Sequence, residues 1–228
     1  MEKLVYALEL KEPLAPAAIA SLAREAGGLQ VRVNLRDEEV AAGEKLVQAS
    51  GDALPDCVVQ LWLPTSNPRF RSGLDEALGS IAASLAGWLV CESTIIENLD
   101  RAPSGERTRG FAQLAFLTLP EGLAWTDWRR IWRDSHTQIA IDTQSNFEYR
   151  QNLVVEKLVD TRQRGRDFVA IVEECFPTEA LVDPMTFFAA SGDPTKFKRN
   201  LDAMMESCAR FIAPGTIDVF PTSQYDFG

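Results

Sequence analysis

The chain contains one histidine, His136, which ends a run of aromatic residues with helical spacing. Trp128, Trp132 and His136 recur at every fourth position, so in a helix they share roughly one face, with the imidazole at the C-terminal end. Downstream, Tyr149 stands in a β-rich stretch beside Arg150, Gln151 and Asn152. An imidazole, with an ordinary pKa of about 6.5, is suited to taking a proton from an acidic carbon or phenol and returning it. A tyrosine hydroxyl in the same cavity can orient a carbonyl or steady a developing oxyanion. His136 and Tyr149 are therefore the candidate catalytic residues, with Trp128, Trp132 and Asn152 as candidate ligand contacts. Strand alternation puts Arg150 and Asn152 on the face opposite Tyr149, so one pocket receives all three only across a bulge. Plainer roles are open to each residue: His136 as a cap on the helix C-terminus, the tryptophans as core, and Tyr149 as a half-buried strand residue. Arg129, Arg130 and Arg133 read as a solvated helix face.

The elements that would position these groups follow from periodicity and from Gly and Pro breaks. Strands are expected over 4–10, 30–35, 56–63 and 88–96, with helices over 15–26 and 69–85 between them. The stretch 37–48 reads as an acidic, weakly helical excursion with its run Asp37, Glu38 and Glu39 solvated, and 98–110 as a polar linker; whether the acidic loop covers a cavity mouth is left open. The order then recurs, with strands over 111–119, 147–158, 167–175 and 216–220, and helices over 126–136 and 195–211. An inserted helix is expected over 178–188.

The recurrence extends to single residues. Leu14, Ile19, Leu22 and Arg24 match Leu123, Trp128, Ile131 and Arg133 at one constant offset, and Phe70, Leu74, Asp75 and Ser80 match Phe197, Leu201, Asp202 and Ser207 at another. The position matching His136 is Gly27, a helix-stopping glycine. A four-stranded antiparallel sheet covered by helices on one side must bury its other side, and a second copy of itself can do so. The fold expected is thus α+β: tandem ferredoxin-like β-α-β-β-α-β repeats over 1–97 and 111–228, joined by the linker 98–110. Their antiparallel sheets would pack face to face as an intrachain dimeric α/β barrel able to hold a small ligand between sheet and helices.

The run GLAWTDWRRIWRDSH, followed by a strand with FEYRQN, resembles the EthD family of the dimeric α/β-barrel superfamily. That family carries an aromatic residue, a Trp four later and a His four after that, then a strand with Tyr close to Asn. These map onto Trp128, Trp132, His136, Tyr149 and Asn152, and the match spans about 109–220. The chain departs from the pattern where Thr-Gln follows His136, and in carrying a fused half without histidine. The resemblance implies a superfamily of cofactor-free oxygenases, polyketide cyclases, isomerases and decarboxylases, with haem enzymes among its members. The leading expectation is a cofactor-independent lyase, cyclase or oxygenase acting on a small apolar or aromatic, polyketide-like molecule, with His136 as general acid/base. A non-catalytic ligand-binding accessory protein is one alternative, and a haem protein with His136 as axial ligand is another.

Composition narrows the partners. The 228 residues carry 23 basic and 33 acidic side chains, a formal net charge of −10, which argues against a nucleic-acid partner. The most apolar stretch, 81–91, is well short of the roughly 20 residues a membrane helix needs, so no membrane partner is expected. Cys57, Cys91, Cys175 and Cys208 stand far apart with no His at ligand spacing, which predicts free thiols, no metal site and a reducing compartment. With no signal-like N-terminus, the expected location is cytoplasmic. The sequence leaves open whether the fused chain pairs again as a homodimer.

Overall fold

The structure, a computed structural model, describes residues 1–51, 53–161 and 167–228. The chain runs β1 (Glu2–Leu10), α1 (Pro16–Glu25), β2 (Val31–Leu35), a 3-10 segment (Glu38–Leu46), β3 (Cys57–Leu63), α2 (Pro68–Ile81) and β4 (Ala82–Ile96). It continues with β5 (Phe111–Thr118), α3 (Trp125–Arg130), a π-helical turn (Ile131–His136), α4 (Thr137–Thr143), β6 (Glu148–Asp160) and β7 (Phe168–Phe176). A 3-10 turn (Thr178–Leu181), α5 (Pro184–Phe187), α6 (Pro194–Ala209) and β8 (Asp218–Phe227) complete it.

All strand pairs are antiparallel and close into one eight-stranded barrel in the order β1-β3-β2-β8-β5-β7-β6-β4. Each half contributes four neighbouring strands in the same arrangement. The halves join edge to edge, β2 on β8 and β4 on β6, so that no strand edge stays unpaired.

Alternation then sorts the side chains. Residues facing into the barrel fill it. Val5, Ala7, Val58, Trp88, Phe116 and Phe220 form an apolar zone, with the Trp88 and Phe116 rings edge to face at 5.7 Å. The rest of the interior is polar, with an ionic cluster at its centre: Arg32 bridges Glu148 and Glu173, each at 2.8 Å, and Arg150 bridges Glu148 at 2.6 Å and Glu92 at 2.7 Å. Lys3 pairs with the same Glu92. The helices lie outside. Ile19, Ala23, Leu74 and Leu78 pack on Leu4, Tyr6, Val33 and Leu61 of the first half; Trp128, Trp132, Met204 and Phe211 cover Leu117, Tyr149 and Val172 of the second.

Helix starts follow local chemistry. Pro16, Pro68, Pro184 and Pro194 open helices where a missing N–H costs nothing, and the Asn67 and Asp193 side chains accept backbone N–H groups at the ends of α2 and α6. Several expectations are corrected. Strand β4 starts at Ala82 rather than 88, and α2 is correspondingly shorter. Strand β8 runs on through Pro221 to Phe227: residues 218–222 pair with β5 and 223–227 with β2, so Pro221 sits where a single ladder neighbour is present. The inserted helix is two short turns. The helix expected to end at His136 continues to Thr143, because no glycine follows; at the matching place in α1, Gly27 adopts φ +102° and ends the helix. His136 is therefore no C-terminal cap.

Candidate active site

Between the outer face of β5–β8 and its covering helices lies a cavity of about 540 Å³. Its floor carries Gln113, Ala115, Tyr149, Val172 and Glu174 from the strands, and its roof Trp132, His136, Met204, Cys208 and Phe211 from the helices. Leu181, Val182, Phe187 and Phe188, from the two inserted turns, form one side. The 3-10 segment of the first half forms another through Ala42, Lys45 and Leu46, while Glu38 and Glu39 of the acidic run stay exposed. Gly43 allows this contact, since a Cβ there would lie 2.6 Å from Leu181 Cδ1. Val182 and Met205, 67% and 60% exposed, give the mouth an apolar rim.

One row of side chains crosses the floor. In the strand register Glu174 on β7 stands directly opposite Gln113 on β5 and Tyr149 on β6, and all three point outward. Residues so paired have Cβ atoms roughly 5 Å apart. Tyr149 is 1% exposed; its hydroxyl accepts a hydrogen bond from Gln151 Nε2 at 2.8 Å and lies beside the Thr137 side chain. Burial first, and the Glu174 carboxyl second, push its pKa up, so it stays a phenol. Among the described residues Glu174 accepts one hydrogen bond, from Asn146 Nδ2 to Oε1 at 2.7 Å, and no cation pairs with it. The accessible surface it keeps faces the cavity, and burial pushes its pKa up to about 7 against the weaker pull of Asn146.

His136 lies on the π-helical turn, a local widening of the helix common at functional sites. Its ring packs on Phe211 at 4.7 Å, and Nδ1 is 2.9 Å from Ser207 Oγ, which also accepts from Arg210. Nε2 has no partner among the described residues and is the nitrogen left for a ligand. In one tautomer it accepts; in the other it donates. Burial, and after it the charge of Arg210, lower the imidazole pKa to about 4, so the ring is neutral at neutral pH.

The structure thus brings His136, Tyr149 and Trp132 to one cavity and leaves two other candidates out. Trp128 is fully buried behind Trp132, with its rings 5.0 Å away and its Nε1 donating to the Phe211 carbonyl at 3.0 Å; it is core. Asn152 points into the barrel and donates to the Ile171 carbonyl at 3.2 Å, because it stands an odd number of residues from Tyr149 on an unbulged stretch. Glu174 escaped the sequence reading. The signal was present as two consecutive carboxylates inside the apolar strand FVAIVEECF, where alternation must bury one on each face. Among the described residues no cluster of His, Cys, Asp or Glu is arranged to hold a metal ion, and no helix is long and apolar enough to cross a membrane. All four cysteines are free.

The barrel and its two helical layers define an α+β protein with the dimeric α/β-barrel fold. Among solved structures, the chain is similar over 100% of its length, and 94% of the other's, to an anthrone oxidase-like protein at TM-score 0.54 and 10% identity. It is similar at TM-score 0.48 and 8% identity to a protein provisionally called a monooxygenase from Lactobacillus acidophilus, covering 98% of this chain and 93% of that one. A likewise provisional monooxygenase from Fusobacterium nucleatum has the same score and identity, covering 100% and 92%. At these identities the likeness is one of fold. No family model and no curated protein matches the chain.

Proposed function

We propose that the cavity is the active site of a cofactor-independent enzyme, of lyase, cyclase or oxygenase type, that moves a proton on a small, neutral, aromatic or polyketide-like molecule. The observation that carries this reading is the convergence of His136, Tyr149 and Glu174 in a largely apolar cavity. Its volume falls in the roughly 300–1,000 Å³ range of small-molecule pockets. Groups whose environments drive their pKa values past each other, the imidazole down and the carboxyl up, are a recurring arrangement for acid–base work. Trp132 and Phe211 supply flat surfaces for a ring system, and Tyr149 supplies a phenol to a carbonyl oxygen. His136 contacts the reacting end of the ligand through Nε2 in its neutral form. The likeness of fold to an anthrone oxidase-like protein is in keeping with a fused aromatic ketone as ligand.

The same proposal takes the chain as a fused pair of ferredoxin-like units whose second half descends from an EthD-like ancestor, with the site kept in one half only. A haem with His136 as axial ligand is less well served: one cationic side chain, Lys45, lines the cavity among the described residues, against two propionates.

Titrating anthrone or 2-tetralone against tryptophan fluorescence tests the reading. Saturable quenching is expected, lost in Trp132→Ala and weakened in His136→Ala. If neither ketone binds while haemin yields a Soret band that His136→Ala removes, the haem alternative replaces it. Binding without any chemistry at the ligand would leave the accessory-protein alternative.

A further inference from the structure

Resting on the reading above, we propose that Glu174 is the group that takes the proton from the ligand and returns it. The ligand is then a neutral carbon acid whose carbonyl oxygen lies against Tyr149. The two halves of the barrel supply the argument. In the first half, the row in the same register consists of Leu4 on β1, Leu61 on β3 and Val31 on β2, all buried hydrocarbon. In the second half the row is Gln113, Glu174 and Tyr149. Beside it, the fifth residue of β1 is Tyr6, whose ring fills the space under the helices and whose hydroxyl is bound to Asp75 at 2.7 Å; the fifth residue of β5 is Ala115. Hydrocarbon thus gives way to three polar side chains at the place where a large ring gives way to a methyl group. A carboxyl put there for stability would have a cation, as every carboxylate of the barrel's ionic cluster does. Among the described residues Glu174 has only Asn146, on Oε1, so Oε2 is left for a ligand.

The step needs no oxidant. The C–H bond next to the carbonyl breaks, its proton passes to Glu174 Oε2, and the electron pair moves into the new C–C double bond as the carbonyl becomes an enolate oxygen. That oxygen receives the Tyr149 O–H, and the reverse movement returns the proton to carbon. The other titratable groups lining the cavity are Lys45 at the wall, His136 and Cys208 on the roof, and Tyr149 on the floor. His136 is too weak a base to hold a proton at neutral pH, and burial pushes the Cys208 thiol up to about 11. An anionic ligand would meet the Glu174 carboxylate with Lys45 at the wall as the one lining cation to offset it, which favours a neutral ligand.

The test is hydrogen–deuterium exchange at the benzylic carbon of 2-tetralone in heavy water, followed by proton NMR. The wild type is expected to accelerate exchange with a rise centred near pH 7, and Glu174→Gln to lower the rate by at least about 100-fold while still binding the ketone. Exchange unchanged in Glu174→Gln overturns the assignment and leaves the enzyme reading intact; failure of the wild type to bind any aromatic ketone overturns that reading itself. Should Glu174→Gln fail to fold, carbon-13 NMR of glutamate-labelled wild type decides. A carboxyl titrating near pH 7 and perturbed by 2-tetralone supports the proposal, and its absence overturns it.

Discussion

On β7 two consecutive glutamates face opposite sides of the sheet, Glu173 into the barrel and Glu174 into the cavity. Glu173 is fully buried and Glu174 keeps some surface toward the cavity, and burial alone would raise both pKa values. Glu173 is met by Arg32 and Lys3 and accepts from Asn34 at 2.8 Å and Gln224 at 2.9 Å, which together hold it far below the usual carboxylate range. Glu174 has a single amide and rises to about 7. The comparison teaches that, where burial raises the pKa of both, the partners decide whether a carboxyl braces the fold or remains free to exchange a proton.

Breaking the partnered side should have the largest effect. Glu173→Gln leaves Arg32 and Lys3 undercompensated inside the barrel, and a loss of about 3–5 kcal/mol in unfolding free energy is expected from urea denaturation. An undiminished midpoint would mean that the ionic cluster is not bracing the barrel.

The unpartnered side shows itself through pH. The folded-state pKa of Glu174 lies above its unfolded value, so its contribution to stability is fully present below about 4.5 and is lost as pH rises through about 7. His136 runs the other way: its folded value is depressed, so its contribution is present above about 6.5 and is lost as pH falls through about 4. At about 1.4 kcal/mol per pH unit each is worth roughly 3 kcal/mol, and in the wild type the two slopes nearly cancel between pH 4.5 and 6.5. Glu174→Gln should therefore unmask a stability that climbs with pH across that window, measured relative to wild type. His136→Asn should unmask the opposite slope, falling toward pH 7; the same slope in both variants would contradict the assignment. The smallest effect is expected for Asn146→Ala, which removes the one group pulling the Glu174 pKa down. Its carboxyl NMR titration should move up by about one pH unit.

Part of this was legible from short-range pattern. Helical period puts Trp132 and His136 on one helix face, and alternation puts Tyr149 and Asn152 on opposite faces of their strand. Short-range pattern failed where a distant segment intervened. Strand β8 continues past Pro221 because β2, nearly 200 residues earlier, offers it a new ladder. Whether the segment Glu38–Leu46 reaches the cavity is decided only when Leu181 is brought against Gly43. Trp128 and Trp132 are indistinguishable by spacing, and packing on Phe211 separates core from cavity wall.

By itself, then, the amino-acid order determined which side chains share a face, since periods of two and 3.6 are properties of the local backbone. It could not determine the chemistry of those faces. Glu173 and Glu174 are the same residue in the same strand, and only the closing of the barrel sets Arg32 beside one and an unfilled space beside the other. Electrostatic environment depends on atoms within a few ångströms, and in this fold those atoms come from strands more than a hundred residues apart.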